Sequence, residues 1–251
     1  MNTIHRPLLA LAAATVGLVA FASPAAARVN CCLLPSQTIT GVVNNDVIAA
    51  NCGCTIARSA SINGNVEQLG DGSLVVRGIV NGGVSEAGPG NLTIDRGIVG
   101  GDCAEADGGN LVVRQGSFVN GLLQEAGTGG VTITVGVDGP TKGDVIESGA
   151  GSVAVTVLGG AYEGGLFEEG AGSATVSVAA GSAFKGDIEE QADGGVTTTV
   201  EGIFEGNVRE LFAGDLVTEG SGWFKGNTEH EIPGLCSNSI VRFEGAACIP
   251  L

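Results

Sequence analysis

Short runs of alternating apolar and polar residues return along most of the chain with a period of 18 to 22 residues. Each period contains one run of the form apolar-x-Gly-x-apolar, such as residues 184–188, and one run of alternating β-branched residues, such as residues 153–157. A period of two in β-branched residues predicts strands rather than helices. Gly-rich corners lie between the runs, and we expect their glycines to supply positive φ angles and tight reversals. Each unit is therefore predicted to contain two short strands.

A glycine at the centre of the first run marks the repeat most clearly. Its nine occurrences are Gly64, Gly82, Gly101, Gly121, Gly143, Gly164, Gly186, Gly206 and Gly226. Apolar or aromatic residues stand two positions before and two positions after most of these glycines. The residues four positions after them are Gln68, Glu86, Glu105, Glu125, Glu147, Glu168, Glu190, Glu210 and His230. A recurrence of this length is typical of stacked supersecondary units.

The other columns of the repeat predict how the units stack. The residues just before the last five repeat glycines alternate in sign, and they are Lys142, Glu163, Lys185, Glu205 and Lys225. Aromatic residues form another column, which consists of Tyr162, Phe184, Phe204 and Phe224. Both columns fall in register if successive rungs lie about 4.8 Å apart. Because a unit of this size cannot bury a core alone, we predict an all-β fold, a parallel β-solenoid of about nine rungs of 18 to 22 residues.

The ends of the chain differ from the repeats. Residues 1–27 are interpreted as a secretory signal peptide, because a short basic start leads into an apolar run and small residues precede Arg28. That run is shorter than the roughly 20 residues of a membrane span, so we expect a mature chain without a transmembrane segment, secreted or at the cell surface. The predicted divisions of the mature chain are an N-terminal cap with a degenerate first rung (28–60), the solenoid repeats (61–230) and a C-terminal cap (231–251).

Seven cysteines in an exported chain indicate disulfides. The six candidates lie outside the repeats, and they are Cys31, Cys32, Cys52, Cys54, Cys236 and Cys248. The sequence favours only the pairing of Cys236 with Cys248, while the four N-terminal cysteines allow several pairings. Cys103 takes an inward position that valine or leucine holds in other units, so we interpret it as a buried apolar residue.

The chain carries 27 acidic and 11 basic side chains, a net charge of −16, and 44 glycines. This negative charge repels phosphate backbones and argues against a nucleic-acid partner. It suits cation binding or solubility outside the cell. The glycine spacing is not three, which excludes collagen, and the recurring apolar positions argue against disorder.

The glutamate column is the clearest chemical feature of the sequence. Its seven carboxylates would repel one another at a spacing of about 5 Å, and they share the parity of the apolar positions. We favour a structural role in which each carboxylate accepts N–H bonds from the adjoining Gly-rich corner. The alternative is a cation-binding edge for calcium, although no segment matches an EF-hand or the nonapeptide calcium repeat. No other cofactor is expected.

Few residues could support catalysis. His230 is the only histidine after the predicted cleavage site, so a Ser-His-Asp or Cys-His arrangement would have to centre there. The repeat already explains the many pairs of carboxylates that glycoside chemistry could use. One tryptophan and one tyrosine give little support for a sugar-binding groove. We therefore expect no enzymatic activity.

Two resemblances bear on function. The second strands present an outward column rich in threonine, which includes Thr132, Thr134, Ala154, Thr156, Thr175, Ser177, Thr197 and Thr199. A flat face of this kind is similar to that of ice-binding β-solenoids, although threonine is also a common solvated strand residue. The rung of residues 184–188 resembles that of the bactofilins, bacterial β-solenoid proteins that form filaments inside the cell. That resemblance covers the repeat region and implies a stacked solenoid, whereas the export signal and the cysteine-rich ends set this chain apart.

These features predict a secreted, acidic, non-enzymatic β-solenoid with a structural, adhesive or surface-matrix role and a cell-surface or matrix partner. The alternative is a self-assembling scaffold whose solenoid ends stack into filaments. Uncapped edge strands would favour the scaffold, while cysteine-rich ends favour closed termini. Calcium binding and ice binding are further alternatives.

Overall fold

The computed structural model describes residues 28–34, 37–137, 141–230 and 234–250. These residues form a parallel β-solenoid of about 10 turns, which confirms the predicted fold class. In the part of the chain so described, the helical content is one short 3-10 helix, Cys31–Leu33, and no helix is long and apolar enough to cross a membrane. The predicted signal peptide lies outside the described residues.

Each full coil contains three strands, so the solenoid has three faces. Face 1 consists of Val29–Asn30, Val47–Ala50, Val66–Leu69, Val84–Ala87, Cys103–Glu105, Leu123–Glu125, Val145–Glu147, Leu166–Glu168, Ile188–Glu190, Val208–Glu210, Thr228–His230 and Ile249–Pro250. Face 2 consists of Thr38–Ile39, Cys54–Ile56, Leu74–Val76, Leu92–Ile94, Leu111–Val113, Val131–Val135, Val153–Val157, Ala174–Val178 and Val196–Val200. Face 3 consists of Val42–Val43, Ser61–Ile62, Ile79–Val80, Ile98–Val99, Phe118–Val119, Thr141–Lys142, Ala161–Glu163, Ala183–Lys185 and Ile203–Glu205. The last two long strands, Leu216–Lys225 and Cys236–Glu244, run from face 2 into face 3.

The expectation of two strands per unit was wrong, because the repeat glycine turns the chain. In one coil, Ile79–Val80 belongs to face 3 and Val84–Ala87 to face 1, with Gly82 in the turn between them. The apolar residues that flank the glycine therefore point into the same core from two different faces. Both Val80 and Val84 are buried.

Parallel pairing places equivalent residues directly above one another. On face 1, Val84 pairs with Val66 in the preceding coil and with Cys103 in the following one. Alternate strand residues point inward and form one continuous hydrophobic core. Cys103 lies in that core as a free thiol, and its burial raises its pKa to about 12. The interpretation of Cys103 as a buried apolar residue is confirmed.

The predicted aromatic column is also confirmed. Its rings are stacked with centroids 5.0 Å apart for Tyr162 and Phe184, 5.1 Å for Phe184 and Phe204, and 4.6 Å for Phe204 and Phe224. A fifth ring, that of Phe243, continues the stack 4.9 Å beyond Phe224. The aromatic stack therefore runs through the second half of the core and into the predicted C-terminal cap.

Replacing Phe204 by leucine is expected to lower the free energy of unfolding by about 2 kcal/mol. The substitution removes two ring-stacking contacts and leaves unfilled volume in the core. Phe212→Leu is a matched control, because the Phe212 side chain is 46% exposed and its loss should change stability by less than about 0.5 kcal/mol. Chemical denaturation measures both values, and equal effects of the two substitutions would contradict this role for the stack.

Corner glycines are required chiefly by the close approach of successive coils. Gly70 and Gly72 do have positive φ angles, of +78° and +129°, as expected. Later corner glycines such as Gly109 do not have a positive φ angle. A Cβ atom on Gly109 would instead overlap the carbonyl oxygen of Gly90 in the preceding coil. Here the missing side chain matters more than the backbone angle.

Disulfides close both ends of the solenoid. The bonded pairs are Cys31–Cys54, Cys32–Cys52 and Cys236–Cys248. The expectation of disulfides at the ends is therefore confirmed, including the pairing of Cys236 with Cys248. The segments that carry them continue the stack, since Cys54–Ile56 pairs with Leu74–Val76 and Cys236–Glu244 pairs with Leu216–Lys225. These additional coils explain why the solenoid is longer than nine rungs.

Candidate functional site

The seven glutamates form a single buried column along face 1. They are Glu86, Glu105, Glu125, Glu147, Glu168, Glu190 and Glu210, and each side chain is 0% exposed. Parallel register places six of them directly above the glutamate of the preceding coil, as in the pairing of Glu147 with Glu125 and Glu168, and Glu86 lies above Gln68. The structure thus brings together all seven residues that the sequence singled out, inside the solenoid rather than on its edge.

One oxygen of most of these side chains binds the adjoining Gly-rich corner. The Oε1 atom of Glu125 accepts a hydrogen bond from the Gly127 N–H at 2.7 Å, and that of Glu168 accepts one from Gly170 at 2.8 Å. The remaining acceptors with such a bond are Glu105, Glu147, Glu190 and Glu210. These contacts are the ones that the structural interpretation of the column predicts.

The second oxygen of these six side chains is buried, and among the described residues no protein donor reaches it. Both oxygens of Glu86 are likewise buried, and no donor among the described residues reaches them. Two stacked carboxylates cannot satisfy each other, because an ionised carboxylate only accepts hydrogen bonds. A protonated carboxyl can donate its O–H to the carboxylate above or below it and so satisfies both groups. The geometry therefore favours a column of carboxyls that share protons.

Burial raises the pKa values in this column. The pKa is raised to about 7 for Glu86, about 8 for Glu125, about 9 for Glu168 and about 8 for Glu190. Loss of hydration is the largest cause in each case, and hydrogen bonds with neighbouring glutamates raise these values further. The pKa of Glu210 is raised by burial as well. Removing a carboxyl from water disfavours its charged form, so part of the column is protonated at neutral pH.

The two ends of the column are closed by other polar side chains that bind the backbone. Gln68 donates from Nε2 to the carbonyl oxygens of Gly70 and Gly72, at 2.8 Å and 3.1 Å. At the other end, Nε2 of His230 lies 3.0 Å from the carbonyl oxygen of Gly214. The His230 side chain is buried and binds the backbone of a corner, so it occupies the same structural position as the glutamates.

Calcium binding by the column stays a prediction. Over the described ranges, no group of three or more Asp, Glu, His and Cys side chains is arranged to hold a metal ion. The glutamate side chains are withdrawn from solvent, so a cation could reach them only if the coils separated. The geometry is better suited to holding protons.

Outward columns of the repeat form ladders along face 3. Asn63 donates to Asn44 at 2.7 Å, and Asn81 donates to Asn63 at 2.8 Å, so these side chains form an amide ladder. Lys142 pairs with Glu163 at 2.9 Å. Further along, Glu205 lies between two lysines, 3.9 Å from Lys185 and 2.8 Å from Lys225. Glu244 continues the alternation beside Lys225.

The threonine-rich column lies on face 2 with its side chains outward. Thr132, Ala154 and Thr175 stand side by side in successive strands, and Thr134, Thr156 and Ser177 form the neighbouring column. The column ends at Val217 and Glu219. Ice binding by this face stays a prediction.

Sequence reasoning missed a second charged cluster and the length of the stack. Arg58, Arg77, Arg96 and Arg114 lie in consecutive coils at the corner between faces 2 and 3. Their spacing of 18 or 19 residues is the signal that could have found them. Likewise Phe243, Glu244 and Gly245 repeat the pattern of the earlier rungs, although the sequence analysis assigned this segment to a cap.

Comparisons with protein families, with curated proteins and with solved structures found no match. The class defined by the fold is a three-faced parallel β-solenoid with disulfides at both ends. The basis for assigning a function is therefore the geometry of this chain.

Proposed function

We propose that the protein is an exported, non-enzymatic β-solenoid that serves as a rigid acidic rod in a structural, adhesive or surface-matrix role. The observation that carries this proposal is the continuity of the stack. Hydrophobic core residues extend from Cys31 near one end to Phe224 near the other, and in-register pairing joins every consecutive coil of face 1. Such a stack resists bending because each coil is held by its neighbours over its whole perimeter.

The surface and the disulfides support this role. Side chains on face 3 form ladders between coils, such as the ion pair of Lys142 with Glu163. Most of the buried glutamates bind the backbone of the corners. Three disulfides indicate an extracellular or otherwise oxidising environment. An exported rod with a large net negative charge would stay soluble.

Particle size and shape test this proposal. The purified protein lacking residues 1–27 is expected to give monodisperse rods about 5 nm long, which is the length of about ten coils at the parallel strand spacing. Light scattering and negative-stain electron microscopy measure this, with calcium and with a chelator in parallel samples. A compact sphere, or a loss of the rod form in chelator, would contradict a self-sufficient structural rod. Export is tested separately by expressing the full-length chain and looking in the culture medium for the product that begins at Arg28.

A filament-forming scaffold is the second candidate, and the strand Cys236–Glu244 favours it. Cys236–Glu244 pairs with Leu216–Lys225 along one edge, and within the described residues no strand pairs with its other edge. Val241 on this strand is 75% exposed. An open edge strand is a template for another chain, so the coil of a second molecule could continue the stack here.

A charged substitution on this edge strand distinguishes the filament-forming scaffold from the single rod. Val241→Lys is expected to abolish filaments if they form through this strand, because a lysine on an edge strand opposes pairing. Val137→Lys is the matched control, since Val137 is 73% exposed but lies midway along the stack. Filaments that survive Val241→Lys, or rods that never elongate at high protein concentration, would exclude assembly through this edge. Thermal hysteresis and calcium-dependent melting test the ice-binding and calcium-binding alternatives.

A further inference from the structure

Four arginines form an exposed ridge along one corner of the solenoid. Arg58, Arg77, Arg96 and Arg114 follow the face 2 strands of four successive coils, in the turns that lead to face 3. All four side chains are exposed. The whole chain has 11 basic residues and 27 acidic ones, so these arginines form a positive patch on a protein whose net charge is negative.

A shallow groove of about 360 Å³ lies along this ridge. Its lining consists of Arg58, Arg77, Arg96, Gly78, Ile79 and Ile98. The two isoleucines come from adjacent coils and are 39% and 44% exposed. The groove therefore places guanidinium groups from three successive coils beside aliphatic side chains from two adjacent coils. Arg58 and Arg96 share one register position, and Arg77 lies one position earlier in its coil.

One carboxylate holds part of this ridge in place. Asp95 accepts a hydrogen bond from Nε of Arg77 at 2.9 Å, and Nε of Arg96 lies 3.6 Å from its other oxygen. These arginines, with a further contribution from Arg114, hold the pKa of Asp95 below its ordinary value. Four guanidinium charges against this single carboxylate leave the ridge positive.

Five of the six other basic residues in the described chain are neutralised by nearby acids, and the sixth, Arg242, lies 5.5 Å from the centre of the Trp223 ring. Those with a carboxylate within 4.0 Å include Arg28, Lys142, Lys185, Arg209 and Lys225. These pairs tie one coil of the solenoid to another. The arginine ridge is different, because its positive charge exceeds what its own acid can neutralise.

The backbone at Arg96 adopts an uncommon conformation. Arg96 has a φ of +58°, in the left-handed region that residues other than glycine rarely adopt. Gly116, which lies over Arg96 in the next coil, has a similar φ of +80° without a side chain. Unfavourable backbone conformations persist only where the surrounding structure holds them, and they cluster at functional sites. The Arg96 N–H donates to the Ser117 hydroxyl of the next coil at 2.9 Å, so the turn is anchored while the guanidinium stays exposed.

We propose that this ridge binds a linear anionic polysaccharide that carries a carboxylate on its sugar units. A guanidinium group can bind a carboxylate through two parallel hydrogen bonds. The coil spacing of about 4.8 Å repeats the positive charge along a line, which suits a polymer with periodic charge better than a single small anion. Ile79 and Ile98 would pack against the apolar faces of the sugar rings.

Other ligand classes fit this ridge less well. Small-molecule sites usually enclose most of their ligand, and this groove is open along its length. Nucleic acid carries a higher density of negative charge, which the net charge of −16 would oppose more strongly. The inference deepens the proposed surface role by giving the rod a partner, yet polymer binding can be measured whether or not the protein is exported.

Isothermal titration with polygalacturonate tests the proposal. The variant Arg58→Gln/Arg96→Gln/Arg114→Gln is expected to bind at least about 10-fold more weakly than the unaltered protein, because three charge-assisted contacts are lost. It leaves the pair of Arg77 and Asp95 intact. The control variant Arg28→Gln/Lys142→Gln/Lys185→Gln removes the same amount of charge elsewhere on the rod. We expect its affinity to stay within about 3-fold of that of the unaltered protein, because a tenfold change would require about 1.4 kcal/mol. Thermal melting establishes that both variants are folded, and neutral dextran serves as the uncharged polymer.

Several results would overturn the proposal. They are an absence of binding to polygalacturonate, equal weakening in the two triple variants, and equal binding to dextran. Binding to phosphatidylglycerol vesicles without binding to the polymer would assign the ridge to a lipid surface instead. Salt-sensitive dimerisation that only the arginine variant abolishes would assign it to a second copy of the chain. Rod morphology is scored independently, so failure of polymer binding remains distinct from failure of the structural role.

Discussion

The free energy of unfolding should fall as the pH rises from about 4.5 to about 9. The glutamate column contains carboxyls whose pKa values are raised in the folded state, to about 7 for Glu86 and about 9 for Glu168. In the unfolded chain these groups return to their ordinary value near 4.5. Their contribution to stability is therefore complete below the unfolded pKa and is lost as the pH rises through the folded pKa.

The steepness of this fall reports how many protons the column holds. Each proton bound by the folded state but not by the unfolded state changes stability by about 1.4 kcal/mol per pH unit. Neighbouring groups act in the same direction, because Asp107 faces Glu86, Asp193 faces Glu190 and Asp215 faces Glu210 with charges of the same sign. The effect is thus expected to reach several kcal/mol across the window.

Acid conditions should produce an opposite and smaller effect. Asp95, Glu163 and Glu205 have pKa values lowered by hydrogen bonds from Arg77, Lys142 and Lys225 respectively. The stabilisation from these exposed or partly exposed pairs is present above the ordinary carboxyl pKa and is lost as the pH falls through the lowered folded values. Stability should therefore be greatest in mildly acidic solution.

A pair of adjacent glutamates isolates the contribution of the column. Glu168→Gln removes a buried titrating group while preserving its shape, and it should flatten the pH dependence and stabilise the protein above about pH 9. Glu169→Gln is the matched control, because Glu169 is exposed and should leave the pH profile unchanged. Denaturation curves collected between about pH 4 and pH 10 measure both. A flat profile for the unaltered protein, or identical profiles for the two variants, would contradict proton sharing in the column.

The second large effect is expected from a single methyl group at a corner. Gly109→Ala should lower the free energy of unfolding by about 3 kcal/mol or more, because the new Cβ would overlap the Gly90 carbonyl oxygen and only a backbone shift could relieve the clash. Every coil above and below would have to accommodate that shift, since each is paired to the next.

Gly108 provides the control within the same corner. A Cβ atom there would lie 3.6 Å from the Thr128 hydroxyl, which is an ordinary van der Waals distance. Gly108→Ala should therefore be neutral or slightly stabilising, because alanine restricts the unfolded chain. Thermal and chemical denaturation of the two variants decide the matter, and a neutral Gly109→Ala would show that the coils are packed less closely than the structure indicates.

Features whose residues recur at a fixed position in the repeat could be predicted from the sequence, whereas features outside that pattern could not. The glutamates recur at one position with the parity of the core, so both their stacking and their inward orientation could be predicted from spacing. The third strand could not, because the pattern around Gly82 is the same whether the chain continues straight or turns there. The arginine ridge escaped notice because its residues lie in turns, where coil lengths vary and alternation carries no information. Proton sharing between the glutamates could not be predicted, because the sequence does not show which oxygen of each carboxyl accepts a bond from the corner backbone.

The alternating ladder of face 3 constrains how such a chain can change its length. Like residues meet in the core, so a duplicated coil would present to both neighbours the same side chains that they already contact. On face 3, however, one extra coil would place lysine against lysine or glutamate against glutamate. Two coils inserted together would restore the order from Lys185 to Glu205 to Lys225. Tandem duplication should therefore lengthen the rod most readily in steps of about 1 nm, twice the strand spacing, and the coil pair is the unit of growth for this architecture.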